Sequence, residues 1–250
     1  SVVSCPVDLY VDAANTAGAA YPYATPETAA TKVTDALSAA TDGSTIHIAD
    51  GTYPISSTIL LNKQIVLEGI GGIPANVVLT ASNARRTLWM SNEGAVVRNL
   101  TLSNGKSTQS NGGNLKISQW GGFVSNCVIT AGFGDNYSGN GGNIYMNAGH
   151  VTHSVISDGK LNNTGGGNKG VNVSISGGLL EHSLITGGSD ATDGSSTNVA
   201  AGVYISGGTL RNCTIAKNAG LTTGGVFASG GSIVNTVIAG NTSANKGGDY

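Results

Sequence analysis

The chain has 250 residues, of which 39% are hydrophobic, so it is long enough to bury a core. Only 10% of the residues are charged, glycine occurs 39 times and the net charge is −2, which argues against a helical protein and suits short strands joined by bends. The sequence contains no basic block that would indicate a nucleic-acid partner, and no apolar run approaches the roughly 20 residues that span a bilayer.

The first residues allow two interpretations. The segment Val-Val-Ser-Cys ends at Cys5 and is similar to the end of a bacterial lipoprotein signal, in which Cys5 would carry the lipid. The charged and apolar regions of such a signal do not precede it. The alternative is a trimmed mature start with an incidental cysteine.

An amphipathic helix over residues 26–40 is predicted to cap the N-terminal end of the fold. Thr25 can cap this helix, and Pro26 suits its first position. Four strands follow within residues 45–69, and a second irregular coil follows over 77–82. Terminal repeats are expected to be irregular, because an open end exposes apolar side chains and unpaired strand edges. The apolar stripe of the helix is Ala29, Val33, Ala36, Leu37 and Ala40.

From residue 86 onward the chain repeats one pattern six times. Each repeat has a short strand, a glycine-containing bend, a second strand and a third strand. Apolar residues alternate within the strands, so the same positions of successive repeats form columns on one face. Stacking such units buries a continuous core. The first strands begin at Leu88, Leu115, Ile144, Val173, Val203 and Val226.

A corner residue precedes each third strand, and successive corners are 27, 27, 29, 30 and 23 residues apart. Asparagine tolerates left-handed backbone geometry at a bend, and stacked amides can bond to one another. The pattern resembles the asparagine ladder of the pectate-lyase-like right-handed parallel β-helix family. The resemblance covers nearly the whole chain and agrees with the fold predicted from the repeat, a parallel β-helix with three short strands per coil and about eight coils. The corner residues are Asn99, Asn126, His153, His182, Asn212 and Asn235.

The predicted organisation is a single β-helix domain over 1–250, with a cap (1–44), irregular first coils (45–85) and regular repeats (86–250). The order of the segment 10–13, the helix and the segment 49–53 resembles the start of many secreted bacterial β-helix proteins, which implies an extracellular or cell-surface location. The last residues stop where another first strand would begin. We therefore expect a piece of a longer chain, or further repeats, a C-terminal domain or another subunit that covers the last coil.

An aromatic column on the outer face of the first strands is the best candidate for ligand contact. Aromatic rings stack on sugar faces, so a polysaccharide or cell-surface glycan is the expected partner. The alternative is that a long loop covers the rings; the loops before each new coil (131–140, 158–169 and 187–201) are long enough for this. The column contains Trp89, Lys116, Tyr145, Tyr204 and Phe227.

Catalysis is not indicated by these columns. Glycosidases of this fold need paired carboxylates on an outward face, and the outer columns of the first strands contain none. Glu181 and Arg211 share an outward column of the second strand and are predicted to form a surface ion pair. The preferred function is a non-catalytic, adhesin-like or carbohydrate-contacting module. A polysaccharide lyase or glycoside hydrolase and a purely structural spacer stay open as alternatives.

No cofactor is expected, although calcium is an alternative for loop carboxylates at Asp135, Asp190 and Asp193. Their spacing matches no calcium motif, so solvated loops are preferred. His153 and His182 could share a metal, but no third ligand is evident. Cys127 and Cys213 share an inward column three coils apart, about 14 Å, which is too far for a disulfide.

Overall fold

The protein is a parallel β-helix of about six coils. The computed structural model describes residues 7–108, 111–135, 140–162, 169–190, 200–244 and 248–249. Within these residues the strands form four sheets, and neighbouring strands in each sheet are parallel. The sequence-based estimate of about eight coils was slightly too high.

Each of the six regular coils contributes one strand to every sheet, and the irregular first coils and the cap add the remaining strands of the three larger sheets. The nine-stranded sheet contains Asp8–Val11, Thr45–Ile48, Val66–Gly69, Val96–Arg98, Phe123–Ser125, His150–Thr152, Leu179–Glu181, Thr209–Arg211 and Ser232–Val234. The eight-stranded sheet contains Gly51–Pro54, Val77–Thr80, Thr101–Ser103, Val128–Thr130, Val155–Ser157, Leu184–Thr186, Thr214–Ala216 and Val237–Ala239. The seven-stranded sheet contains Ile59–Leu61, Leu88–Met90, Leu115–Ile117, Ile144–Met146, Val173–Ile175, Val203–Ile205 and Val226–Ala228.

A fourth strand is present in each regular coil, where the sequence had indicated three. These strands begin the segments that had been read as loops, and they stack in register like the others. They share no alternating apolar column, so the repeat pattern did not reveal them. The six-stranded sheet contains Lys106–Thr108, Phe133–Asp135, Lys160–Asn162, Ser189–Asp190, Ala219–Gly220 and Thr242–Ser243.

The core lies inside the coil, where the predicted inward columns meet. The first-strand column is fully buried from Leu88 to Val203, and Val124, Val151 and Ile185 of the other sheets are also fully buried. At ~25 cal/mol per Å², each such side chain contributes about 1.5–3 kcal/mol by its burial. The free energy of folding is therefore spread along the stack. In the last coil, Ile233 and Ile238 are only partly buried.

The N-terminal cap differs from the predicted single helix over 26–40. A 3-10 helix covers Pro26–Thr28, and an α-helix covers Val33–Ala39. Thr25 caps the first of these, as expected. The chain is extended between them, because the N–H of Ala30 donates to the Tyr10 carbonyl (2.9 Å) and its carbonyl accepts from the Asp12 N–H (2.8 Å). Pairing with the first strand thus replaces the middle of the predicted helix.

No helix among the described residues is long and apolar enough to cross a membrane.

Candidate functional site

The predicted outer column exists in the seven-stranded sheet. Its members are directly paired in register from one coil to the next, so they stand side by side on one face. We call this set the outer column: Trp89, Lys116, Tyr145, Ser174, Tyr204 and Phe227.

The outer column divides into an open half and a covered half. In the covered half, Tyr204 is only 5% exposed. Its ring stacks on Phe227 (centroids 5.9 Å apart, planes within 6°), and the amine of Lys169 lies 4.9 Å from the ring centroid. The Tyr204 hydroxyl also shares a 2.7 Å hydrogen bond with Ser229. The predicted ligand contact at Tyr204 is therefore covered by its own neighbours, while Phe227 remains 38% exposed.

The open half lines a hollow of about 390 Å³, which we call the first hollow. Lys116 places its amine 4.7 Å from the centre of the Trp89 ring, a cation–π contact. Burial lowers the pKa of Lys116, and the nearby charge of Arg86 lowers it further. None of the described residues that line the first hollow is Asp or Glu; they are Trp89, Ser91, Asn111, Lys116, Ser118, Gln119, Trp120, Tyr145 and Asn147.

Trp120 belongs to this site but was missed from the sequence. Its side chain is 53% exposed, and it lies in the bend between the seven-stranded and nine-stranded sheets. Trp120 lies outside the strands and has no equivalent in the shorter bends of later coils, so the repeat pattern does not reveal it. The length of this bend, four residues between Ser118 and Phe123, was the available signal.

A charged cluster surrounds Glu181 on the nine-stranded sheet. The Glu181 carboxylate accepts hydrogen bonds from Arg211 (2.6 and 2.9 Å) and lies 2.8 Å from Nε2 of His150. Nδ1 of His182 is 3.4 Å away. The hydrogen bonds from Arg211 hold the pKa of Glu181 below its ordinary value; burial opposes this shift and His150 assists it. The predicted Glu181–Arg211 ion pair is thus present, with two imidazoles added to it.

The same arrangement occurs near the N-terminal end of this sheet. Glu68 lies between His47 (Nδ1 at 2.8 Å) and Arg98 (Nε at 2.5 Å) on the neighbouring strands. Asp8 pairs with the other imidazole nitrogen of His47, at 3.1 Å. The side chains of both glutamates are mostly buried (15% and 9% exposed), and basic partners one coil away offset the cost of burying their charge.

The corner residues form the predicted ladder. All six have positive φ, between 45° and 61°. Asn126 donates to Oδ1 of Asn99 (2.9 Å), Asn235 donates to Oδ1 of Asn212 (2.7 Å), and Asn212 lies 3.0 Å from Nε2 of His182. The rings of His153 and His182 stack with centroids 5.1 Å apart. Histidine therefore replaces asparagine in the ladder, and no group of three metal-binding side chains occurs among the described residues.

A second asparagine ladder, which the sequence analysis missed, lies inside the coil. The first four side-chain amides each donate to Oδ1 of the next asparagine at 2.8–3.0 Å, and the last, that of Asn241, donates to Oδ1 of Asp249 (3.0 Å). Each Oδ1 also accepts a backbone N–H, for example that of Gly132 at Asn143 (2.8 Å). Single asparagines just outside the strands carry no periodic hydrophobic signal. The buried ladder is Asn114, Asn143, Asn172, Asn218 and Asn241.

None of the three calcium candidates has a described side chain. Asp193 and Cys5 lie outside the described residues, and only the strand backbone is described at Asp135 and Asp190. Cys127 and Cys213 are buried and free, as predicted.

No family model matches the chain, and no curated protein matches it. Among solved structures, it is similar to "Pectin methylesterase PemA from Erwinia chrysanthemi". The sequence identity is 10%, the TM-score is 0.46, and the alignment covers 90% of this chain and 81% of that chain. The strand pairing of the chain itself establishes the parallel β-helix.

Proposed function

We propose that this chain is a non-catalytic β-helix module that contacts carbohydrate, as an adhesin-like part of a larger secreted or cell-surface protein. The first hollow is the observation that carries the proposal. It combines the rings of Trp89, Trp120 and Tyr145 with the amine of Lys116, and hydroxyl and amide side chains fill the rest of its wall.

This lining suits a sugar for physical reasons. The C–H face of a sugar ring is apolar and complements the negative face of an aromatic ring, while its hydroxyls need donors and acceptors around the edge. Ser91, Ser118 and Asn147 supply such groups from three successive coils. Because these positions are fixed by strand register, the surface needs little reorganisation before it binds, which limits the entropic cost of association.

A polysaccharide lyase or glycoside hydrolase is the second candidate, and the Glu181 cluster is the observation that favours it. A carboxylate beside imidazoles supplies groups that acid–base catalysis uses. However, Arg211 and His150 occupy both oxygens of the Glu181 carboxylate, and its lowered pKa keeps it ionised, which opposes proton donation. A pure spacer is the third candidate, which the covering of Tyr204 favours.

A glycan-array screen tests the proposal, with the parent and a Trp89→Ala/Tyr145→Ala variant side by side. The matched control is Tyr21→Ala, which removes an aromatic side chain that is 77% exposed on the N-terminal cap. The expected result is glycan binding by the parent and the control, loss of binding by the double variant, and no new reducing ends. New reducing ends would establish the enzyme candidate. Absence of binding and of cleavage on every glycan would leave the spacer.

A further inference from the structure

Trp120 occupies a bend that differs from those that follow it. The first two regular bends between the seven-stranded and nine-stranded sheets contain four residues each (92–95 and 119–122). The next four bends contain two residues each, of which the last is always glycine (148–149 is the first of them). The four-residue bends thus end with the one that carries Trp120, and only two-residue bends follow it in the later coils.

Two glycines explain why the indole points outward. Gly121 and Gly122 follow Trp120 with φ of 80° and 129°, values that favour glycine. A Cβ on Gly122 would lie 2.5 Å from Cε of Met90 in the core, so the bend is pressed against the core at this point. The bend therefore passes close to the core at Gly122, whereas the side chain of the preceding Trp120 is 53% exposed.

The indole of Trp120 lines two hollows of similar size and a third, of about 450 Å³, whose other lining residues are Asn92, Glu93 and Gln119. The first hollow lies on the side of Lys116 and Tyr145. A second hollow, of about 400 Å³, lies on the other side and is lined by Phe123, the 148–149 bend and His150. Trp120 and Gln119 line both. Either hollow is large enough for a sugar ring, and Trp120, which lines both, is the most exposed aromatic side chain among the described residues of the regular coils.

The two hollows carry opposite charges. Lys116 lines the first, and Arg86 lies behind it, bonded to backbone carbonyls of the 111–112 segment. Glu93 lines the second, where the His150 imidazole is already paired with Glu181. A uniformly acidic polysaccharide would place one carboxylate near Lys116 but the next one near Glu93. The repulsion between that second carboxylate and Glu93 is unfavourable, so the surface selects against an acidic polysaccharide.

We propose that Trp120 is the central contact of a two-subsite carbohydrate site, which runs around the corner between the two sheets and binds a mainly neutral oligosaccharide of two or more sugar units. The proposal rests on the carbohydrate-contacting function above and adds to it a contact residue, a ligand class and a direction across the strands. One sugar ring of the ligand binds on each side of the indole and both contribute to binding, so the affinity rises when the ligand is extended from one sugar unit to two.

The test is titration calorimetry with two series of one to six sugar units, neutral gluco- and galacto-oligosaccharides and oligogalacturonates. The variants are Trp120→Ala, Trp120→Phe and Glu93→Gln, with Tyr21→Ala as the control. Each melting temperature is compared with that of the parent, and these exposed positions are expected to leave it unchanged. We expect the parent to prefer a neutral series, and Trp120→Ala to weaken that binding by about tenfold, with part of the loss restored in Trp120→Phe. Glu93→Gln is expected to improve binding of the acidic series selectively.

Three results would overturn the inference, and they differ in whether the proposed function survives. If Trp120→Ala binds like the parent while Trp89→Ala/Tyr145→Ala loses the ligand, recognition is confined to the first hollow and the proposed function survives alone. If the parent binds neither series and no glycan on the array, the inference and the proposed function fail together. A parent that prefers oligogalacturonates would refute the proposed ligand class.

Discussion

Asn172 donates a 3.0 Å hydrogen bond to Oδ1 of Asn218, although the two residues are 46 positions apart, and both are buried. Up to Asn172 the asparagine of each coil precedes a strand of the seven-stranded sheet; from Asn218 on, it precedes a strand of the six-stranded sheet. In both cases a glycine faces the asparagine side chain. A Cβ added at Gly132 would lie 2.6 Å from Oδ1 of Asn143, and a Cβ added at Gly202 would lie 3.1 Å from Nδ2 of Asn218. The interior therefore has space for one asparagine side chain per coil at this place. That asparagine can precede either the strand of the seven-stranded sheet or the strand of the six-stranded sheet.

Removing one asparagine of the buried ladder should lower the free energy of unfolding much more than removing one asparagine of the corner ladder. Asn143→Ala leaves the Gly132 N–H and the Ser157 carbonyl without their side-chain partner. We expect the free energy of unfolding to fall by about 3 kcal/mol. The control is Asn126→Gly, which removes an exposed corner amide without straining its positive φ and should cost about 1 kcal/mol. Urea unfolding measures both, and equal losses would mean that the buried ladder has no special role.

A charge in the inward column should disrupt neighbouring coils. Ile185 is fully buried, so Ile185→Asp places an unpaired carboxylate in the core and is expected to cost more than about 4 kcal/mol. Leu184→Asp is the matched control, because the adjacent Leu184 is 37% exposed on the outer face. Thermal unfolding followed by circular dichroism compares the two. A melting temperature for Ile185→Asp equal to that of the parent would show that the inward columns are assigned incorrectly.

The Glu181 cluster should make stability depend on pH in the acid range. Because the pKa of folded Glu181 is lowered, chiefly by the Arg211 hydrogen bonds, its contribution is fully present above the pKa of the unfolded carboxyl and disappears as pH falls through the lower folded value. The stability difference between the parent and Glu181→Gln should therefore shrink between about pH 6 and about pH 3. In an Arg211→Gln background this dependence should be weaker. A difference that stays constant with pH would contradict the assignment.

The two core cysteines should be unreactive while the protein is folded. Burial raises the pKa of Cys127 to about 12 and that of Cys213 to about 11, so neither forms a thiolate at neutral pH. In a Cys5→Ser variant, iodoacetamide should add no mass to the native protein and two adducts in denaturant, as measured by mass spectrometry. Labelling of the native chain at a rate similar to that of the unfolded chain would show that this part of the core opens.

The repeat columns were sufficient to predict the fold. Alternating apolar positions such as Leu115 and Ile117 can be buried together only on one face of a strand, and their recurrence in each coil leaves stacking as the way to cover them. The corner ladder followed for the same reason, since each corner requires a residue that tolerates positive φ. The fourth strand and the buried ladder were not predicted, because short polar segments and isolated asparagines carry no periodic signal.

The sequence also determined that Trp89, Lys116 and Tyr145 share a face, because strand register depends only on the repeat. Only the tertiary structure decided which members of that column are accessible. Tyr204 is covered by the ring of Phe227 from the next coil and by the amine of Lys169 from the preceding one, whereas Trp120 projects from a bend outside the repeat. Periodicity within a strand determines which side a residue faces, but its exposure depends on what other coils place over it.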